Sequence, residues 1–121
     1  MDFQVEIDHW RDVNGNSPVT YYFLGLSQKT QARIAKRDDY FEKYTVQDFI
    51  KLPDIESTKG TQGYWELKYR GKGEFNYRMI FIIWNKKVIG LELFHGSGSD
   101  GRLAKHMPVA IARANDLKTR A

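Results

Sequence analysis

The chain contains no cysteine, only three prolines and only three histidines in 121 residues. Without thiols there are no disulfide staples, no thiolate nucleophile and no Cys-based zinc site. His9, His95 and His106 lie far apart without metal-ligand spacing, so neither a metal nor any other cofactor is expected. No apolar run reaches the length of a membrane span. The opening "MDFQVEIDHWRD" lacks the basic-then-apolar order of a secretory signal. These absences predict a soluble, cytoplasmic protein with no membrane partner. Internal repeats and low-complexity tracts are missing as well, and 41% hydrophobic residues over this length suit a single domain spanning 1–121.

What the chain does have is patterned charge. Nineteen Lys and Arg against 15 Asp and Glu give a net +4, with a pI near 9.3, a balance common among proteins that meet nucleic acid. The distribution is uneven. Residues 38–56 hold six of the acids, whereas 68–78 carry four cations, Lys68, Arg70, Lys72 and Arg78, against the single acid Glu74.

Hydrophobic periodicity lays out the elements. "FQVEI" at 3–7 alternates and reads as a strand. Ser17 followed by Pro18 marks a helix start, because serine caps free amides and proline at the first turn needs no donor; Val19, Tyr22, Phe23 and Leu26 form its stripe. Ser27 is a second cap for a mostly polar helix buried through Ile34, Phe41 and Tyr44. A short helical turn within 45–52 stops at Pro53, and "ESTKGTQG" reads as a loop. Three strands come next, "YWELKYR", "FNYRMIFIIW" and "KVIGLELFH", joined by "GKGE" and a tight turn at Asn85 and Lys86. The tail is an amphipathic helix opened by Pro108, with Met107, Ala110, Ile111, Ala114 and Leu117 at helical spacing. The fold class is therefore α+β: a small sandwich of an N-terminal strand, a helical hairpin, a three-stranded antiparallel meander and a C-terminal helix, with the helices covering one face of the sheet.

Strand alternation sends Trp65, Leu67 and Tyr69 to the core and sets Glu66, Lys68 and Arg70 on the opposite face. The "GKGE" turn brings Arg78 back beside Lys68 and Arg70. Cations at contact distance repel by about 1 kcal/mol per pair even in water, which favours an anion between them, and guanidinium groups suit a phosphodiester. The competing reading is a solvated face neutralised by nearby acids, and for Arg78, inside an apolar run, a carboxylate partner such as Glu66 or Glu92. His95 ends its strand on the side of Ile89, Leu91 and Leu93, a place for either a packed residue or a catalyst. Arg102, Lys105 and His106 precede the final helix on a loop that could reach the sheet's open face. "GSGSDG" at 96–101 has no phosphate-loop lysine pattern and reads as a mobile connection.

The run from Pro53 to Gly96 resembles the RelE/ParE toxin superfamily, nearest to its HigB-like, phage-derived branch. Gly63, Trp65, Glu66, Leu67, Lys68, Tyr77, Arg78, His95, Gly96 and Pro108 carry the match. The resemblance implies a RelE-like sandwich and a type II toxin of a toxin–antitoxin system: a ribosome-dependent, metal-independent mRNA endoribonuclease in which the RNA's own 2′-hydroxyl attacks the adjacent phosphate. It also implies a cognate antitoxin, the ribosome and mRNA as partners. By position, Lys68, Arg70 and Arg78 would hold the scissile phosphate, one of Lys68, His95 and His106 would move the proton, and Lys72, Arg102 and Lys105 would bind RNA. The family usually follows its His-Gly with an aromatic residue and paired lysines, whereas this chain reads "HGSGSDGRLAKHMP". That departure keeps a second class of function open: a toxin-fold binding protein that does not cut, such as a gyrase inhibitor or a binder of RNA or of a host protein.

Overall fold

The structure is a computed structural model that describes residues 2–58, 60–96 and 102–120, with Arg102 described by its backbone alone. In chain order the elements are β1 (Ile7–His9), α1 (Pro18–Leu24), α2 (Gln28–Phe41), α3 (Val46–Phe49), β2 (Ile55–Ser57), β3 (Trp65–Arg70), β4 (Asn76–Trp84), β5 (Lys87–His95) and α4 (Arg102–Arg120). The fold is α+β. Its five strands form one sheet in the order β1-β5-β4-β3-β2, antiparallel except for the parallel β1–β5 pair.

Local chemistry accounts for most boundaries. The Ser17 hydroxyl accepts from the Thr20 amide with Pro18 at the first turn of α1, and Ser27 does the same for Thr30 at the start of α2. Asn85 and Lys86 both take positive φ, 51° and 64°, as a two-residue hairpin turn requires. The opening segment is extended but changes partners. Gln4 bridges Thr45 and the Val5 amide donates to the Tyr44 carbonyl, and only from Ile7 does the chain join β5.

Two expectations are corrected. "ESTKGTQG" is not all loop, because its first part forms the edge strand β2, pairing Ile55 with Leu67 and Ser57 with Trp65. Both faces of the sheet are covered, not one. The first face carries Leu67, Tyr69, Met79 and Phe81 against Val19, Ile34, Phe41 and Phe49 from the three N-terminal helices. The second carries Ile80, Ile82, Ile89, Leu91 and Phe94 against Ala110 and Ala114 of α4, with Trp10 and Tyr64. Small alanines let α4 lie close to the strands. Trp10 anchors it by donating its indole N–H to Asp116 at 3.2 Å and receiving the Arg113 guanidinium over its ring at 5.4 Å.

The C-terminal helix also begins earlier than proline chemistry suggested. It starts at Arg102, so Pro108 lies inside it, at the cost of one intrahelical hydrogen bond. Lys105 and His106 therefore sit in the first turns of a helix and not on a loop. None of the described helices is long and apolar enough to cross a membrane.

Candidate functional site

The register sets the sheet cations side by side as expected: Lys68 pairs with Arg78 across β3 and β4, and Arg70 with Asn76. The counter-ions are the protein's own. Arg78 donates to Glu66 at 2.8 Å with both side chains under 10% exposed, so this pair is buried, with Arg78 beside Phe94 in the register. Lys68 meets Glu56 at 2.6 Å, while Arg70 and Arg37 hold opposite oxygens of Asp54 at 2.9 and 2.8 Å. Two acids of the 38–56 stretch, Asp54 and Glu56, thus come to the edge of the basic strand, through β2 and the turn before it.

Chemistry collects instead at the C-terminal end of β5. In that strand the register steps past Leu91, between the Phe81–Gly90 and Ile80–Glu92 pairs. The step rotates the remainder of the strand. Ile89 and Leu91 belong to the α4 face, whereas Leu93 packs on the other face, so the expectation that all three share a side with His95 is corrected. It also aims Glu92 at α4, where its two oxygens take His106 Nδ1 at 2.9 Å and Arg113 at 3.0 Å.

These groups line a cleft of about 1120 Å³ between α1, the end of β5 and the first turns of α4. Tyr21 and Tyr22 line it from α1, Glu92, Leu93, Phe94 and His95 from the end of β5, and Lys105 and His106 from α4. The His106 ring stacks on Phe94 at 4.1 Å. With Nδ1–H given to the Glu92 carboxylate, Nε2 is left as the ring's proton acceptor. His95 packs edge-on against Tyr77 at 4.9 Å, and its Nε2–H donates to the Glu74 carbonyl at 3.1 Å. Burial, with smaller contributions from Tyr77 and Glu92, pushes the Tyr22 hydroxyl up, against a hydrogen bond to the His95 backbone that pulls it down. That phenol stays protonated at neutral pH. Tyr21 is 82% exposed and presents its ring to the cleft's lining.

Of the residues singled out from sequence, His95, Lys105 and His106 come together in this cleft. Lys68, Arg70 and Arg78 lie apart on the sheet in their ion pairs. Lys72 lines a separate hollow with Lys29, Arg33 and His95. The Arg102 side chain and the connection at 97–101 lie outside the described residues. Sequence reasoning missed Tyr21, Tyr22, Glu92, Lys29 and Arg33. The basic spacing of Lys29, Arg33 and Lys36 on one helix was a usable signal; Tyr22 was absorbed into a core stripe. No group of His, Cys, Asp and Glu among the described residues has the arrangement of a metal site.

The architecture is that of a small α+β sandwich with helices on both faces of a mixed five-stranded sheet. It is shared with the Escherichia coli toxin RelE, solved in the free state as a double arginine-to-alanine mutant: TM-score 0.55 and 13% identity over 92% of this chain and 98% of that one. No protein-family model matches the chain, and no curated protein matches it.

Proposed function

We propose that the chain is the toxin of a toxin–antitoxin pair and cleaves mRNA on the ribosome without a metal, using the cleft at the end of β5. The observation that carries this reading is the Glu92–His106 pair lining one cleft together with His95 and Lys105. His106, oriented by Glu92, accepts the 2′-hydroxyl proton. The freed oxygen forms a bond to the adjacent phosphorus, the bond to the 5′-oxygen breaks, and His95 in its imidazolium form gives that oxygen a proton. The products are a 2′,3′-cyclic phosphate and a 5′-hydroxyl end. Lys105 faces the charge that develops on the phosphate, and Tyr21 and Tyr22 offer faces on which bases stack. The fold shared with a toxin supports the class; a HigB-like, phage-derived origin rests on the motif resemblance alone.

Induction in bacteria with mapping of transcript 5′ ends tests the reading. Wild type should leave new 5′-hydroxyl ends within translated messages. His106→Gln, with an unchanged melting curve, should leave none. Cuts that persist in this variant overturn the assignment of His106, and an uncut transcriptome under wild type overturns the nuclease.

One observation favours a second reading. Each of Lys68, Arg70 and Arg78, the residues expected to hold the scissile phosphate, is matched to a carboxylate. A toxin-fold protein that binds without cutting would be built in this way, and growth arrest with intact mRNA, or DNA damage through a gyrase complex, would identify it.

A further inference from the structure

The sheet cations are matched to acids, but a second set is not. Between the first turns of α2 and the turn joining β3 to β4 lies a polar hollow of about 350 Å³, lined by Lys29, Thr30, Arg33, Lys72 and, at one end, His95. Glu74 is the one acid among the described residues of that lining, and its backbone carbonyl is the part that meets His95. Among the described residues, Lys29, Arg33 and Lys72 have no carboxylate within ion-pair distance, in contrast to Arg37, Lys68, Arg70 and Arg78.

The hollow is also organised. The Arg33 guanidinium lies 4.0 Å over the buried Phe75 ring and gives one N–H from each terminal nitrogen to the Lys72 carbonyl at 3.3 Å. Two of its five donors are used in holding it still, and three remain. Gly71 makes room for that arginine, since a Cβ there would collide with the Arg33 terminal nitrogen. Thr30 Oγ1 accepts from Ser27 and keeps its own O–H to donate. Lys29 and Thr30 belong to the first turn of the fourteen-residue α2, whose amide dipoles add to the positive field.

We propose that this hollow is a phosphate-binding subsite for a single-stranded RNA backbone, next to the cleft. The proposal rests on the RNA-cleaving reading above and deepens it. His95 lines both cavities, so a strand leaving the cleft crosses His95 and sets a neighbouring phosphate among Lys29, Arg33 and Lys72. A planar, pre-oriented guanidinium with two flexible ammonium groups suits the tetrahedral oxygens of a phosphodiester and reads no base. The subsite would therefore contribute affinity and register and leave sequence choice to the cleft.

The test measures binding of a fluorescent 2′-O-methyl octanucleotide, which cannot be cut, by anisotropy across a salt series. The proteins are wild type, the Lys29→Ala/Lys72→Ala double variant and a control, Lys43→Ala, beyond the end of α2. The double variant should bind about tenfold more weakly at low salt, and its log K against log salt slope should be shallower by about 0.7 to 1.4, as expected for one or two lost charge contacts; the control should match wild type. An unchanged slope while RNA still binds overturns the subsite and leaves the RNA reading standing. If wild type binds no RNA, the RNA reading falls, and an NMR titration with inorganic phosphate decides the hollow itself. Saturable shifts at the Lys29, Arg33 and Lys72 amides, lost in the double variant, would keep it as a site for a free phosphate; their absence would overturn it.

Discussion

Removing Arg78 alone should cost the fold more than it informs about function. Its guanidinium faces Glu66 at 2.8 Å, and the two residues are 7% and 5% exposed. Arg78→Ala would strand a buried carboxylate, a loss of about 3–5 kcal/mol in comparable sites. For a domain of this size that is a fall in melting temperature on the order of 10–20 °C. The pair itself is less valuable than either half suggests, because Arg78 Nε is buried without a hydrogen-bond partner among the described residues. Replacing both residues with apolar ones, Glu66→Leu with Arg78→Met, removes two desolvation costs at once and should restore stability to within about 1 kcal/mol of wild type or better. Urea unfolding of wild type, both single variants and the double variant gives the coupling energy directly. A single Arg78→Ala variant within about 1 kcal/mol of wild type would refute the buried pair, as would a double variant no more stable than that single one. The double variant, once folded, also separates structure from activity. The burial of Arg78 predicts that it still arrests growth, and loss of arrest with an intact melt would return Arg78 to the phosphate.

Asp38 gives a pH signature: burial pushes its carboxyl up to about 7, against the opposing pull of the Tyr69 hydroxyl 2.6 Å away. The native state therefore holds a proton that the unfolded chain releases near pH 4, so this contribution is full at low pH and is lost as pH rises from about 4 through 7. The loss is at most about 4 kcal/mol, less in proportion to the partly exposed position of the residue; Asp38→Asn should flatten the fall in urea midpoint between pH 5 and 8, and a variant that tracks wild type would refute the assignment. Glu92→Gln and His106→Ala should reduce cleavage to the same level, with the double variant no worse than either; additive losses would show that the two act separately. Gly90→Ala should destabilise by about 1–3 kcal/mol, because its Cβ would sit 2.5 Å from the sulfur of the fully buried Met79; an unchanged melt would mean that Met79 can move aside.

Sequence periodicity captured the hairpin turn at Asn85 and Lys86 and the serine caps, which neighbours a few residues away fix, and the side-by-side placement of Lys68 and Arg78, which follows from the short turn joining their two strands. It failed where distant segments decide. Ile55 becomes a strand residue by pairing with Leu67, although its Ser, Thr and Gly-rich surroundings look like a loop. Pro108 looked like a helix start, yet α4 runs through it with Trp10, Tyr64 and the sheet holding the helix in place. The carboxylates that neutralise Lys68 and Arg70 are 12 and 16 residues away in sequence. Nothing local announces that Asp54 and Glu56 return to the strand edge.

The register step at Leu91 connects these outcomes. Were β5 a regular strand, Glu92 would alternate away from Leu91, and His95, not Glu92, would share the α4 face with Ile89, Leu91 and Leu93. With the step, Glu92 faces α4 as Leu91 does, receives both His106 and Arg113, and fixes a histidine at the mouth of the cleft. Past the step, Leu93 and His95 turn to the face of the N-terminal helices, where His95 meets Tyr77 and borders both cavities. The same irregularity thus sets the two histidines on different faces of the sheet while keeping both at its end. With α4 closing one face and the N-terminal helices the other, the end of β5 is where the fold leaves polar groups exposed to a ligand. The cations in the middle of the sheet hold the strands to one another and to β2.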